Sequence, residues 1–254
     1  MIFESHAHYD DEVFDEDREE LLASMQENGI GWIINVGSSL ERCRDTLRLI
    51  EKYHFVYGAM GVHPSETGEL NEENFAWLRE QYSIDKVVAV GEIGLDYHWN
   101  EPEPQIQKVW FERQLELARE VKLPVIIHSR DAAQDTLDIM HTLHAEEMEG
   151  VIHCFSYSKE IAREYLDMGY HFGIGGVITF RNAKKLKEAV EYIPMDRILL
   201  ETDSPYLAPE PHRGTRNSSL NLPYVAQEIA ALKGITYEEV AEITAENAKR
   251  LFFK

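Results

Sequence analysis

Short apolar runs alternate with amphipathic helical patterns along the whole of this 254-residue chain, and that alternation restricts the possible folds most tightly. The runs expected as strands are 2–6, 32–36, 55–62, 87–92, 124–128, 151–155, 170–174 and 198–203. Helical patterns are expected at 16–28, 39–53, 71–82 and 104–122, from about 131, and at 159–168 and 182–192. Three more close the chain, at 223–233, from 236 onward and at 245–252. The punctuation agrees. Gly29 and Gly169 stop helices, Ser39, Asn71 and Asn182 stand where side chains cap them, and Thr236 with Glu239 spells a capping box. Strands separated by helices make a parallel sheet with right-handed crossovers. Eight such units with no break in composition point to an α/β fold, a single (β/α)8 TIM barrel, as one domain over 1–254. An open doubly wound sheet would carry a glycine-rich phosphate loop after its first strand, where this chain has His6-Ala7-His8.

The strand ends carry the chemistry. His6 and His8 end the first strand, His63 the third, Glu92 the fourth, His128 the fifth, His153 the sixth, and Glu201 with Asp203 the eighth. In a closed barrel the C-terminal strand ends form one rim, where active sites of this fold lie. One strand-end histidine is more often a hydrogen-bonded or solvated residue than a ligand. Five histidines and three carboxylates on one rim are poorly explained that way, because carboxylates clustered without a cation repel and raise one another's pKa. A metal-dependent hydrolase centre is therefore expected, with two divalent ions. His6 and His8 would hold one with Asp203, His128 and His153 the other, and Glu92 would give one oxygen to each. Two such ions bring four positive charges against two from Glu92 and Asp203, a surplus suited to an anionic substrate such as a phosphate. Asp203 can also take the proton of an attacking water. Glu201 can hydrogen-bond a ligand histidine or the substrate. Imidazole donors favour zinc, with manganese, nickel or cobalt as further candidates and the oxygen-seeking magnesium behind them.

Composition narrows the setting. A formal charge of −21 argues against a protein that coats nucleic acid by phosphate neutralisation, though not against an enzyme that grips a few phosphates. No apolar run is long enough to cross a membrane, and the first residues do not read as a signal peptide. Cys43 and Cys154 are far apart and in no metal or redox spacing, so a cytoplasmic location is expected. The rim has few cations: Arg130, Arg181, Arg213 and Arg216. Loops after strands seven and eight of such barrels often bind phosphate, which makes Arg130, Arg213 and Arg216, with His63 and Glu201, the candidate substrate contacts. Tyr97, Trp99, Phe155 and Tyr206 can stack on a base, although aromatics beside a barrel rim more often pack as a lid.

The motifs Ser5-His6-Ala7-His8, Gly61-Val62-His63-Pro64, Gly91-Glu92-Ile93-Gly94-Leu95-Asp96-Tyr97, His128-Ser129-Arg130, His153-Cys154-Phe155-Ser156 and Glu201-Thr202-Asp203-Ser204-Pro205-Tyr206 resemble, in order and over essentially the whole chain, the TatD family of metal-dependent hydrolases. The resemblance implies a TIM-barrel DNase, reported in the family as a 3′-5′ exonuclease and sometimes an endonuclease. By position it implies metal ligation by His6, His8, Glu92, His128, His153 and Asp203. Three departures are visible. Glu4 stands where the family often has Asp, Tyr157 fills a small-residue slot, and Ser218-Ser219 replaces a frequent Glu-Pro. The favoured expectation is a deoxyribonuclease using a water activated by two metals, with Asp203 and Glu92 as catalytic residues and DNA or a nucleotide phosphodiester as substrate. It needs no protein partner and is expected to act as a monomer. The alternatives are a binuclear hydrolase of a small amide, ester or lactone, and a non-catalytic metal-dependent binding protein.

Overall fold

The computed structural model describes residues 1–99 and 101–253. Asn100 and Lys254, both inside the domain expected over 1–254, lie outside the described residues. Eight strands form one sheet: β1 (Ile2–Ala7), β2 (Ile30–Gly37), β3 (Val56–Met60), β4 (Val87–Asp96), β5 (Val125–Arg130), β6 (Gly150–Ile152), β7 (His171–Ile174) and β8 (Ile198–Leu200). The helices between and after them are α1 (Arg18–Ser24), α2 (Leu40–Lys52), α3 (Glu72–Gln81), α4 (Pro104–Val121), α5 (Ala133–Thr142), α6 (Lys159–Asp167), α7 (Lys184–Tyr192), α8 (Leu222–Lys233) and α9 (Tyr237–Phe252). Every pairing is parallel and each strand neighbours its successor. This is the (β/α)8 barrel the alternation implies.

The barrel closes through the segment after β8. Ala7 bridges to Ser204. The His8 N–H donates to the Ser204 carbonyl at 2.8 Å, and the Asp203 N–H to the His6 carbonyl at 3.0 Å. β8 is shorter than the run 198–203 because its ladder with β7 ends at Ile174 and Leu200. The Glu201 N–H still donates to the Ile174 carbonyl at 3.3 Å, and from Thr202 onward the chain bonds to β1. β4 is longer than expected because pairing with β5 continues to Asp96 and Arg130. Gly94 permits this, for a Cβ there would lie 1.9 Å from the His128 carbonyl oxygen.

Two cores result. Phe3, Ile34, Val36, Ala59, Val88, Ile126, Val151 and Leu199 bring one or two side chains from most strands into a cluster with Ala245, Ala248, Leu251 and Phe252 of α9. Phe3 stacks on Trp32 and Phe252 at ring distances of 6.0 and 6.3 Å. This filling leaves the other end of the barrel for the site. A larger cluster joins the outer strand faces to the helices.

The capping signals at Ser39, Asn71 and Thr236 act as expected. Asn182 does not cap α7, which begins after Ala183 with no side-chain cap bond. The two last helices expected from 236 and from 245 are one, because no Gly or Pro interrupts 237–252.

Candidate metal centre

β1 delivers the first pair of histidines. The strand face alternates with period two, but its register with β2 shifts between Glu4 and Ala7, and the chain leaves the strand after Ala7. His6 Nε2 and His8 Nε2 nevertheless meet at 3.2 Å. The His8 Nδ1–H donates to the Val36 carbonyl at 2.7 Å, which aims Nε2 at the centre. His8 Nε2 is 3.3 Å and His6 Nε2 3.8 Å from Asp203 Oδ1. Asp203 itself sits at φ 56, a left-handed conformation that Asp tolerates better than most residues.

Glu92 stands between two groups of imidazoles. Its Oε2 is 3.4 Å from His6 Nε2 and 3.9 Å from His8 Nε2. Its Oε1 is 2.7 Å from His128 Nδ1, 3.0 Å from His153 Nε2 and 3.7 Å from His63 Nε2. The rings are fixed from behind. The His128 Nε2–H donates to Asp96 at 3.0 Å. His153 Nδ1 is 3.4 Å from Glu201 Oε1, which accepts from the Cys154 N–H at 2.5 Å. His63 Nδ1 pairs with Ser65 Oγ at 2.8 Å.

Buried electrostatics show what this donor set calls for. Burial pushes the Glu92 carboxyl up, but the charges of His153 and His63 and the bonds from His128 and His153 hold it well below the carboxylate range. Burial acts the same way on Asp203, where the His8 bond and the charges of His153 and His6 win and lower it. Burial pulls His8 down, yet the Asp203 bond and the charges of Asp203, Glu92 and Asp10 carry it to about 9. Burial pulls His153 down too, and Glu92 and Glu201 raise it well above its ordinary value. His63 goes the other way, to about 3, through burial and the charge of His128. Ionised carboxylates in a dry centre thus collect positive charge, and protonated imidazoles supply it in the metal-free protein. Divalent cations would supply it better, since imidazole and carboxylate are ordinary ligands of such ions. Two buried atoms without a hydrogen-bond partner, His6 Nδ1 and Glu201 Oε2, belong to the same cluster.

Among the described residues, three trios have the spacing to hold an ion: His6, His8 and Asp203; His63, Glu92 and His128; and His6, His153 and Glu201, which shares His6 with the first. The second contains Glu92, whose Oε2 faces the first, and the two make up a binuclear divalent-metal centre. His63, expected to touch substrate, falls inside the second trio. Glu201 is buried against His153 and does not line the cavity above the centre.

That cavity has a volume of about 610 Å³, with Arg130, Asp10, Asp11, Ser38, Arg42, Trp99 and Tyr206 among its walls. Arg42 is engaged, donating to the Asp10 carbonyl at 2.8 Å. Arg130 is exposed and makes no side-chain bond or ion pair among the described residues. Arg213 and Arg216 stand away from the cavity. Arg216 binds Asp17 through both nitrogens at 2.7 and 2.5 Å, and Arg213 lies over the Phe180 ring at 4.4 Å. Two residues carried no clear sequence signal for their roles. Asp96, four residues beyond Glu92 on β4, was detectable by strand period alone. Asp10, held by Asn35 at 2.7 Å, was not.

A family model described as TatD related DNase matches residues 3–253. The chain belongs to the TatD family. It is 46% identical over 252 residues to the uncharacterized metal-dependent hydrolase YabD of Bacillus subtilis, covering 99% of both chains. It is 36% identical to the 3′-5′ ssDNA/RNA exonuclease TatD of Cronobacter sakazakii, over 95% of this chain and 94% of that one. The crystal structure of the TatD homologue YJJV of Escherichia coli superposes with a TM-score of 0.93 at 30% identity, covering 99% of this chain and 97% of that one. Family and clusters together make this TatD-family protein a binuclear-metal hydrolase. No helix of the described residues is long and apolar enough to cross a membrane.

Proposed function

We propose that the protein is a deoxyribonuclease that removes nucleotides from a 3′ end. One observation carries the reading. Glu92 gives an oxygen to each of two imidazole groups, beneath a cavity whose wall holds the unpaired Arg130. His6, His8 and Asp203 would hold one ion and His128 and His153 the other, with His63 beside the second and Glu92 shared. When bound, the ions lower the pKa of a water and neutralise charge on the phosphoryl oxygens.

The chain's own groups do the rest. Asp203 accepts the proton of the attacking water. The water oxygen bonds to phosphorus as the phosphorus–O3′ bond breaks, and O3′ takes up the proton that Asp203 releases, giving a 5′-nucleotide and a shortened strand with a free 3′-hydroxyl. Arg130 offers two parallel N–H donors to a phosphate. Asp96 and Glu201 hold the His128 and His153 rings in place. The relative named as an exonuclease supports the choice of substrate. Every candidate ligand comes from one chain, so the reading needs no partner subunit and suits a monomer. Two free cysteines, Cys43 and Cys154, suit the cytoplasm.

The test is digestion of a 5′-labelled single-stranded oligonucleotide by protein loaded with zinc or manganese, beside Asp203→Asn. A ladder shortening from the 3′ end is expected, with the variant at least about 100-fold slower. Equal products from both proteins, or far higher kcat/KM on carboxyl esters, amides or lactones, would defeat it.

A further inference from the structure

The rim aromatics divide sharply once the structure is known. Phe155 is 2% exposed, and the Tyr97 hydroxyl donates to Asp135 at 2.7 Å. Trp99 and Tyr206 are not lid packing, being 66% and 54% exposed. Both line the cavity over the metal centre. Trp99 follows β4 and Tyr206 follows β8, and in a ring ordered β1 to β8 those strands are diametrically opposed. The two rings thus stand on segments that follow opposite strands, in the wall of a cavity that Glu92 and Asp203 also line. Each is oriented. Trp99 meets the His98 ring edge-on at 4.8 Å, and the Tyr206 hydroxyl donates to Asp11 at 3.1 Å with its ring 6.5 Å from His8.

Charge decides what such faces are for. The cavity wall carries Asp10, Asp11 and Glu66 in a chain of net charge −21, and Arg42 is already taken by Asp10. Grip on a polyanion by phosphate neutralisation is then confined to Arg130 and the metal centre. Stacking of bases on aromatic rings provides grip that the acidic wall does not oppose, and it is available only to bases freed from a duplex. A cavity of about 610 Å³ has the size of a small-ligand site, room for a nucleotide or two of a single strand.

We infer that Trp99 and Tyr206 form a two-sided base clamp, one ring stacking on the base on each side of the scissile phosphodiester. The inference rests on the phosphodiesterase reading above.

The test compares wild type with Trp99→Ala, Tyr206→Ala and Tyr206→Phe on two single-stranded substrates. One is an ordinary oligonucleotide. The other has tetrahydrofuran abasic residues on both sides of the terminal phosphodiester. On the ordinary strand each alanine variant should lose about tenfold in kcat/KM, and Tyr206→Phe should keep most activity. On the abasic strand neither ring has a base to stack on, so wild type should lose about 100-fold, and each alanine variant should equal wild type there. Binding of a thymidine oligomer to metal-free protein should quench tryptophan fluorescence in wild type and not in Trp99→Ala. Equal losses on both substrates would mean a structural role and overturn the clamp, as would no loss on either. A wild type that cleaves esters but neither oligonucleotide would defeat the phosphodiesterase reading itself, and the clamp with it.

Discussion

Gly173 and Glu201 show how closely single residues fit around this centre. A Cβ at Gly173 would lie 1.9 Å from Glu201 Oε2, so the absence of a side chain on β7 is what lets the Glu201 carboxylate reach His153 and the Cys154 N–H. Two departures from the usual family pattern also meet here. Glu4 is fully buried and accepts from Thr202 Oγ1 at 2.6 Å and from Ser219 Oγ at 2.9 Å. Burial pushes its carboxyl up to about 8 against those bonds. The longer Glu side chain and the serine at 219 thus form one contact that ties β1 to the start of α8.

At the far end of the barrel His171 sets a pH dependence of folding. Burial and the charge of Arg197 lower it from 6.5 to about 4. The unfolded chain binds this proton at a higher pH than the folded one, so stability falls as pH drops through the window from 6.5 to 4. The full cost is up to about 3 kcal/mol. Urea unfolding at pH 7 and pH 5 should show a smaller acid loss for His171→Asn than for wild type. Equal losses would show that His171 is not the group responsible.

Among the elements, α9 does most to seal the barrel end remote from the site. Its C-terminal Phe252 and the following Phe253 pack on Phe3, and Lys249 lies over the Trp32 ring at 4.1 Å. Its start is a full capping box. Thr236 Oγ1 accepts from the Glu239 N–H at 3.2 Å, and the Thr236 N–H donates to Glu239 at 2.8 Å. Thr236→Ala should cost about 1 kcal/mol, a drop of roughly 2–4 °C in Tm, with kcat unchanged because α9 touches no metal-centre residue. A loss of activity without a loss of stability would contradict that division of labour. Helix starts were legible wherever a cap residue faces its own backbone, as at Ser39, Asn71 and Thr236. Strand ends were less so, because β4 and β8 stop where their neighbours do.

For the whole molecule, metal removal is the decisive perturbation. Glu92, Asp203 and Glu201 are carboxylates gathered from β4 and the end of β8 into one dry centre, and their charges and bonds raise His8 and His153 above the ordinary imidazole value. Ions that bind the folded chain alone add stability by mass action, about 2.7 kcal/mol at a concentration 100 times Kd. Chelation should therefore lower Tm by roughly 5–10 °C and abolish hydrolysis, and added zinc or manganese should restore both. A Tm indifferent to chelator would mean that the centre holds no ion under those conditions.

The sequence by itself determined the barrel and the chemical character of its rim. Strand and helix periods are local, each run carries its own, and eight repeats leave few ways to bury them all. The ligand types were equally plain, since His6, His8, His63, Glu92, His128, His153 and Asp203 all stand where strand runs end. Which of them face one another was decided only in three dimensions. The β1 register shift, the turn of Thr202 and Asp203 towards β1 and the two carboxylate oxygens of Glu92 sort the histidines into two groups. Tertiary structure also took Arg216 to Asp17, set His63 beside His128, and left Trp99 and Tyr206 bare across the cavity. Side-chain partners depend on loops from distant parts of the chain meeting at one rim, and no local period records that meeting.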